Sequence, residues 1–149
     1  MAEYLANAVQ LIPANEPAIF TASIPCRAGY VYHEDETGIF ILRGAVNCPT
    51  SCFARYRVTF NGNIAVPTGG TVAPIAVALS VNGEPRPTSR AIVTPAAAED
   101  YFNVTSTALI DVPRGCCFTI ALRNVAAEVD TPPETISLQN ANLVIDRVA

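Results

Sequence analysis

Ile75-Ala76-Val77-Ala78-Leu79-Ser80-Val81-Asn82 alternates large and small side chains, with Ile75, Val77, Leu79 and Val81 on one side and Ala76, Ala78, Ser80 and Asn82 on the other. Successive side chains of a β-strand point to opposite faces, so this two-residue period predicts a strand with one face in a core. A helical period does not fit it. Upstream, residues 53–60 behave alike: Ala54, Tyr56, Val58 and Phe60 share one side, and Phe53, Arg55, Arg57 and Thr59 share the other. Asn61-Gly62 follows that run and Asn82-Gly83 follows the first one. Both dipeptides suit the positive dihedrals of tight hairpin turns, and a turn is expected at each.

Outward from these two runs, further strands are expected at residues 4–11, 18–24, 29–33, 38–43, 89–93, 101–112, 117–124 and 136–148, which makes about ten. Clusters of Pro, Gly and acidic residues separate them, notably residues 13–17, 34–38, 67–70, 85–87, 113–115 and 130–134. Short strands with regular punctuation predict an all-β chain forming a two-sheet antiparallel sandwich. The one helical candidate is residues 94–100, where Thr94 suits a cap, Pro95 suits the first helical position and three Ala follow. Neither a linker nor a second composition interrupts residues 1–149, so one domain is expected.

The last strand breaks its own alternation. Ile136 and Leu138 share one face, whereas Ala141, Leu143 and Ile145 fall on the other. A bulge at Gln139-Asn140, inserting one extra residue, restores a common face to all five; a strand passing between two packing environments is the other solution.

Composition sets what kind of surface results. Half of the residues are hydrophobic and only 15% are charged, against a usual share of about 25%. A surface that poor in charge predicts burial in a symmetric homo-oligomer. All nine basic residues are Arg, none is Lys, and the formal net charge is -4, so no basic field for nucleic acid is expected. No run approaches the ~18 apolar residues of a membrane helix, and no membrane association is expected. Residues 1–12 lack a basic, apolar leader pattern, so ordinary secretion is not expected and synthesis in a cytoplasm is.

Five Cys cannot all pair internally, and buried free thiols are the expected state, with a Cys48–Cys52 disulfide across Pro49 as the oxidised alternative. Cys48 and Cys52 are separated by three residues and Cys116 and Cys117 are adjacent, neither being the paired spacing of a zinc site, so no metal and no cofactor are expected. His33-Glu34-Asp35-Glu36 is the one cluster that invites a ligand or metal reading. Neighbouring side chains there point apart and no calcium-loop spacing is present, so a solvated hairpin tip is expected, with these four residues as a candidate ligand loop. A single His and Ser residues without a nucleophile elbow leave acid-base chemistry without its parts, and no enzyme is expected. Arg55 and Arg57 share a face and predict surface salt bridges. The aromatics Tyr56, Phe60, Tyr101 and Phe102 predict core or intersubunit packing in preference to a sugar platform.

Three stretches carry a family resemblance. These are Gly62-Asn63-Ile64-Ala65-Val66-Pro67-Thr68-Gly69-Gly70-Thr71-Val72-Ala73-Pro74-Ile75 with Val81-Asn82-Gly83-Glu84, then Phe102-Asn103-Val104 through Ile110-Asp111-Val112-Pro113-Arg114-Gly115-Cys116-Cys117, and finally Asn140-Ala141-Asn142-Leu143 into residues 144–148. Together they resemble the tumour-necrosis-factor-like and complement-globular-head-like jelly rolls of Firmicutes and their phages. The resemblance implies a ten-stranded, TNF-like jelly roll, trimeric about an axis lined by apolar strands, with the first and last strands adjacent. It also implies a role on a phage virion, as a capsid decoration or head-fibre trimer whose partner is the major capsid protein or another virion protein. Tyr56, Phe60, Tyr101, Phe102 and Leu143 are the expected trimer contacts. The alternative is an adhesion module that grips a host surface glycan or receptor through an outer loop. No collagen-like repeat or coiled coil precedes the first strand, which favours direct docking on a lattice over a stalk-mounted adhesin.

Overall fold

The alternation along residues 75–81 becomes a central strand. In the computed structural model, which describes residues 1–24, 29–34 and 36–149, Ile75, Val77 and Leu79 enter the main core, while Ala76 and Ala78 are buried on the opposite face with Val125. The described residues form twelve strands: β1 (Ala2–Ala6), β2 (Gln10–Ile12), β3 (Ala22–Ile24), β4 (Val31–His33), β5 (Phe40–Arg43), β6 (Phe53–Ala65), β7 (Ile75–Val81), β8 (Glu84–Pro85), β9 (Ala91–Val93), β10 (Phe102–Pro113), β11 (Cys117–Val125) and β12 (Ile136–Arg147). All pairings are antiparallel. The first sheet has the order β10-β6-β12-β1-β3, with β2 also on β12; the second has the order β4-β5-β11-β7-β8, with β9 also on β7.

From β5 onward each long strand leaves the sheet of its predecessor: β6, β10 and β12 lie in the first sheet and β7 and β11 in the second. Side chains from both sheets meet in one core, with Tyr56, Val58, Phe60 and Ile64 of β6 facing partners such as Leu79, Ile120 and Leu122. This two-sheet crossing pattern is a jelly roll. The first and last strands are adjacent, Ala2 opposite Ile145, as the resemblance implies.

The expected bulge on the last strand is present. Gln139 pairs with Asn63 and Asn142 with Asn61, so Asn140 and Ala141 together oppose Gly62, and Asn140 takes a left-handed φ of 50°. The extra residue returns Ala141, Leu143 and Ile145 to the core face already used by Ile136 and Leu138. The first expected strand, residues 4–11, is broken at the same level. β1 ends with Ala6 opposite Ala141, and β2 begins with Gln10 opposite Leu138, so the break accommodates the irregular partner.

Asn82-Gly83 forms the expected tight turn, with φ of 52° and 86° and β8 returning against β7. Asn61-Gly62 does not turn. It lies inside the thirteen-residue β6, paired with β10 on one side and β12 on the other, and this continuous pairing overrides local turn preference. The glycine is needed for space: a Cβ there would lie 2.8 Å from Phe60 Cζ and 3.1 Å from Leu138 Cδ1. Residues 94–100 form turns and no helix. The Ala run at 96–98 is exposed, and so short a segment without an apolar face cannot repay helix nucleation. Only residues 22–24 of the expected strand at 18–24 are strand; before them Pro17 bridges Arg123 of the second sheet, and the chain then crosses to the first.

Candidate functional site

Strand alternation gives the first sheet an outward face whose residues can be read across the strands. One row runs Thr107, Thr59, Val144, Glu3, Ile24, and the next runs Thr105, Asn61, Asn142, Leu5, Ala22. On the β10–β6 half the row partners hydrogen-bond to one another: Thr59 and Thr107 hydroxyls at 3.3 Å, Thr105 donating to Asn61 Oδ1 at 3.0 Å, and Asn103 donating to Asn63 Oδ1 at 3.1 Å. The face ends in two ion pairs. Arg55 makes a two-pronged contact to Asp111 at 2.7 and 2.9 Å, and Arg57 meets Asp146 at 2.8 Å. Hydrogen bonds from Arg55 hold the Asp111 carboxyl below the ordinary carboxylate range, with the charges of Arg55 and Arg86 adding to the effect.

The β12–β1–β3 half is richer in apolar side chains, set around one polar pair in which the Asn142 amide donates to Glu3 Oε1 at 3.1 Å. Leu5 lies opposite Ala22 and diagonal to Ile24 and Val144, with Leu11 farther along β2 opposite Ser137. Ile24 is 58% exposed and Leu11 62%, values that leave large side chains with most of their surface in water. One face thus joins a hydroxyl- and amide-lined half to a half where Leu5, Ala22, Ile24 and Val144 surround the Glu3–Asn142 pair.

The expected trimer contacts divide. Tyr56, Phe60 and Leu143 are fully buried within the subunit, so their side chains have no surface left for a neighbour and the expectation for them is corrected. Alternation shows that Tyr56 and Phe60 share a face but does not say which face meets the core, and the large aromatics fill the space between the sheets. The Tyr56 hydroxyl donates to the Arg43 carbonyl at 2.5 Å. Phe102 is 38% exposed but shares the side of β10 that bears Val104, towards the sandwich. Tyr101 is half-buried over β12, its hydroxyl 2.7 Å from Ser137 Oγ, and thus borders the outward face.

His33 is occupied structurally. Its ring stacks on Phe40 at 4.4 Å, meets Tyr4 edge-on at 5.0 Å, and places Nε2 2.9 Å from the Thr37 carbonyl. Glu34 and Glu36 are exposed at the tip of the β4–β5 turn, and Asp35 lies outside the described residues. Among the described residues, no three His, Cys, Asp or Glu side chains gather as a metal site. Cys48, Cys52, Cys116 and Cys117 are free and exposed, which corrects the expectation of buried thiols; Cys26 lies outside the described residues. All four sit in or beside the β5–β6 and β10–β11 loops, which are joined by Arg114 N–H donating to the Cys52 carbonyl at 2.9 Å. Cys48 Sγ is 3.0 Å from Thr50 Oγ1, and this hydrogen bond lowers the thiol pKa from its ordinary value.

A cleft of about 530 Å³ opens at the pole where β1 begins and β12 ends. Tyr30, Val46, Asn47, Cys48, Phe53 and Arg147 are among its walls. The Arg147 guanidinium lies on the Tyr30 ring, 4.1 Å from its centroid, and the Asn47 amide donates to the Tyr30 hydroxyl at 3.4 Å. No sequence signal marked this site, because its walls come from β12 and from loops far apart along the chain.

No protein-family model and no curated protein sequence matches the chain. Among solved structures, the chain is similar to the globular domain of zebrafish complement 1qA protein, with a TM-score of 0.54 and 12% identity over 96% of this chain and 94% of that one. This likeness shows the fold, a TNF-like jelly roll of the C1q globular-domain kind. More distant likenesses are to the EclA C-terminal domain, a sugar-binding protein (TM-score 0.42, 14% identity, 95% of this chain and 79% of that one), and to the CBM22-1 xylan-binding domain from Paenibacillus barcinonensis Xyn10C (TM-score 0.37, 12% identity, 99% and 87%).

Proposed function

We propose that the protein is a non-catalytic structural module that assembles as a homotrimer through the outward face of its first sheet and decorates a virion, docking on the major capsid protein or another virion protein. The observation that carries the reading is the division of that face. Leu5, Ala22, Ile24 and Val144 present apolar surface around the Glu3–Asn142 hydrogen bond and beside a hydroxyl and amide ladder. In a cyclic assembly each copy contributes one patch to one neighbour and a different patch to the other, and a face with two unlike halves meets that requirement. Burial of Ile24 and Leu11 removes from water surface that a monomer leaves exposed.

The virion role draws on the sequence stretches that resemble phage-encoded jelly rolls. A rigid trimer docking through three equivalent contacts gains effective concentration from each contact already made, so weak individual contacts suffice on a symmetric lattice. Chemistry is not part of the role: the imidazole of His33 is engaged with Phe40, Tyr4 and Thr37, leaving the single His without a nucleophile to activate. Antibodies raised against the chain test the role in electron microscopy of phage particles from cells that express it. Label at regular positions on particle surfaces is the expected result, and particles free of label while the protein stays in the cell lysate contradict it.

A further inference from the structure

We infer that a small pocket between the loop before β7 and the turn joining β11 to β12 receives the end of a lysine side chain presented by another protein. Asn124 lines this pocket and is 1% exposed. Its backbone N–H donates to the Glu16 carbonyl at 3.2 Å, and its carbonyl accepts from the Asn15 N–H at 3.0 Å. Its Nδ2 donates to the carbonyls of Ile12 and Glu134 at 3.0 and 2.6 Å. Oδ1 is left over: among the described residues it accepts no hydrogen bond. Every other polar atom of the residue is turned to the protein, so Oδ1 is what Asn124 offers to the pocket. A shielded amide oxygen without a donor is costly, and the site calls for a donor from outside the chain.

The rest of the lining selects the donor. Glu128 and Glu134 are the only charged residues in it, both are exposed, and neither forms an ion pair among the described residues. A neutral hydroxyl satisfies Oδ1 and leaves both carboxylates unanswered, whereas an ammonium brings three donors and a compact positive charge. Val66, Pro74, Ala127 and Pro132 supply apolar wall for a methylene stem. The volume is about 70 Å³, little more than two waters at about 30 Å³ each, so it admits the last few atoms of one side chain and not a whole small molecule. The chain contains no Lys, so neither it nor a second copy can supply one, and the occupant belongs to a different protein. A single subunit forms the pocket, and the site does not depend on the trimer reading.

The test is an NMR titration of the full chain with Nα-acetyl-lysine methylamide, and with its norleucine counterpart, which keeps an apolar stem and lacks the ammonium. Saturable shifts at the Asn124 side-chain amide and at the Val125 and Thr135 backbone amides are expected for the lysine probe, with norleucine weaker by about tenfold or more. Glu128→Gln with Glu134→Gln, at exposed positions that folding tolerates, lowers the preference for lysine about fivefold. Ala127→Leu, at a half-buried position, fills the pocket and removes the lysine shifts while the β-sheet circular dichroism is retained. Equal binding of the two probes, a lysine preference unchanged by the two Gln substitutions, lysine shifts unchanged by Ala127→Leu, or no saturable shift at tens of millimolar probe overturns the assignment.

Discussion

Ala141 stands against Gly62 where β12 carries one residue more than β6, and a Cβ on the glycine would lie 3.3 Å from the Ala141 Cβ. The same added atom meets Phe60 Cζ at 2.8 Å, so the side chains filling the core at this point must move. Gly62→Ala is expected to cost about 1–3 kcal/mol by overpacking, measured as a fall in the denaturation midpoint with an unchanged slope.

The neighbouring Asn140 separates two effects. It holds a left-handed φ of 50°, which Gly adopts freely and a β-branched residue resists, so Asn140→Gly is expected to be close to neutral and Asn140→Val to cost about 1–2 kcal/mol. Deleting Asn140 is a different matter, because it removes the extra residue and lets Gln139, Ala141 and Asn142 pair one for one with Asn63, Gly62 and Asn61, so Ala141, Leu143 and Ile145 keep the core face. The deletion variant is expected to stay folded, whereas inserting one more residue after Asn140 turns those three side chains away from the core and costs about 4–6 kcal/mol, comparable with the whole stability of a domain. A deletion variant that fails to fold beside an insertion variant that folds, read by circular dichroism, would contradict the role given to the bulge.

Positive charge placed on the apolar side chains of the β12–β1–β3 half tests the assembly surface. Leu5→Arg with Ile24→Arg is expected to reduce the native mass to that of one subunit while the β-sheet circular dichroism is retained. Val129→Arg serves as the control, since Val129 is 84% exposed in the turn between β11 and β12 and belongs to no strand of that face, and its variant is expected to keep the parent mass.

Acid weakens the Arg55–Asp111 pair in one direction only. The folded pKa of Asp111 is depressed, so its contribution is present above the ordinary aspartate value of about 4 and is lost as pH falls through the folded pKa. Both side chains are about two-fifths exposed, so the effect is small and screened by salt. Asp111→Asn is expected to melt slightly below the parent at neutral pH, with the two melting curves converging under strong acid. A gap that widens on acidification contradicts the assignment.

Thiol reactivity follows from Thr50. Its hydrogen bond favours the Cys48 thiolate, so iodoacetamide at neutral pH is expected to label Cys48 ahead of Cys117, and Thr50→Val is expected to slow Cys48 alone. Equal labelling rates in parent and variant, read by peptide mass spectrometry, would remove that hydrogen bond from the account.

Much of the fold was written in local patterns. The alternation over residues 75–82, the Asn82-Gly83 turn and the broken phase between Leu138 and Ala141 each register a short-range constraint, and each has its counterpart in the structure. Asn61-Gly62 misleads because its role is set by Phe60, Leu138 and two flanking strands, none of which a dipeptide can report. The same limit applies to the expected contacts: alternation groups Tyr56 with Phe60, yet only packing against the second sheet turns them inward. The cleft was invisible for a similar reason, since Tyr30, Asn47 and Arg147 meet only after β4, β6 and β12 have been placed.

The most direct test is the native mass of the purified chain, measured by light scattering coupled to size exclusion at micromolar concentration. Assembly through the first sheet predicts a single species at three times the 15.8 kDa subunit mass, stable to dilution. A homogeneous 15.8 kDa species across the same concentrations contradicts it.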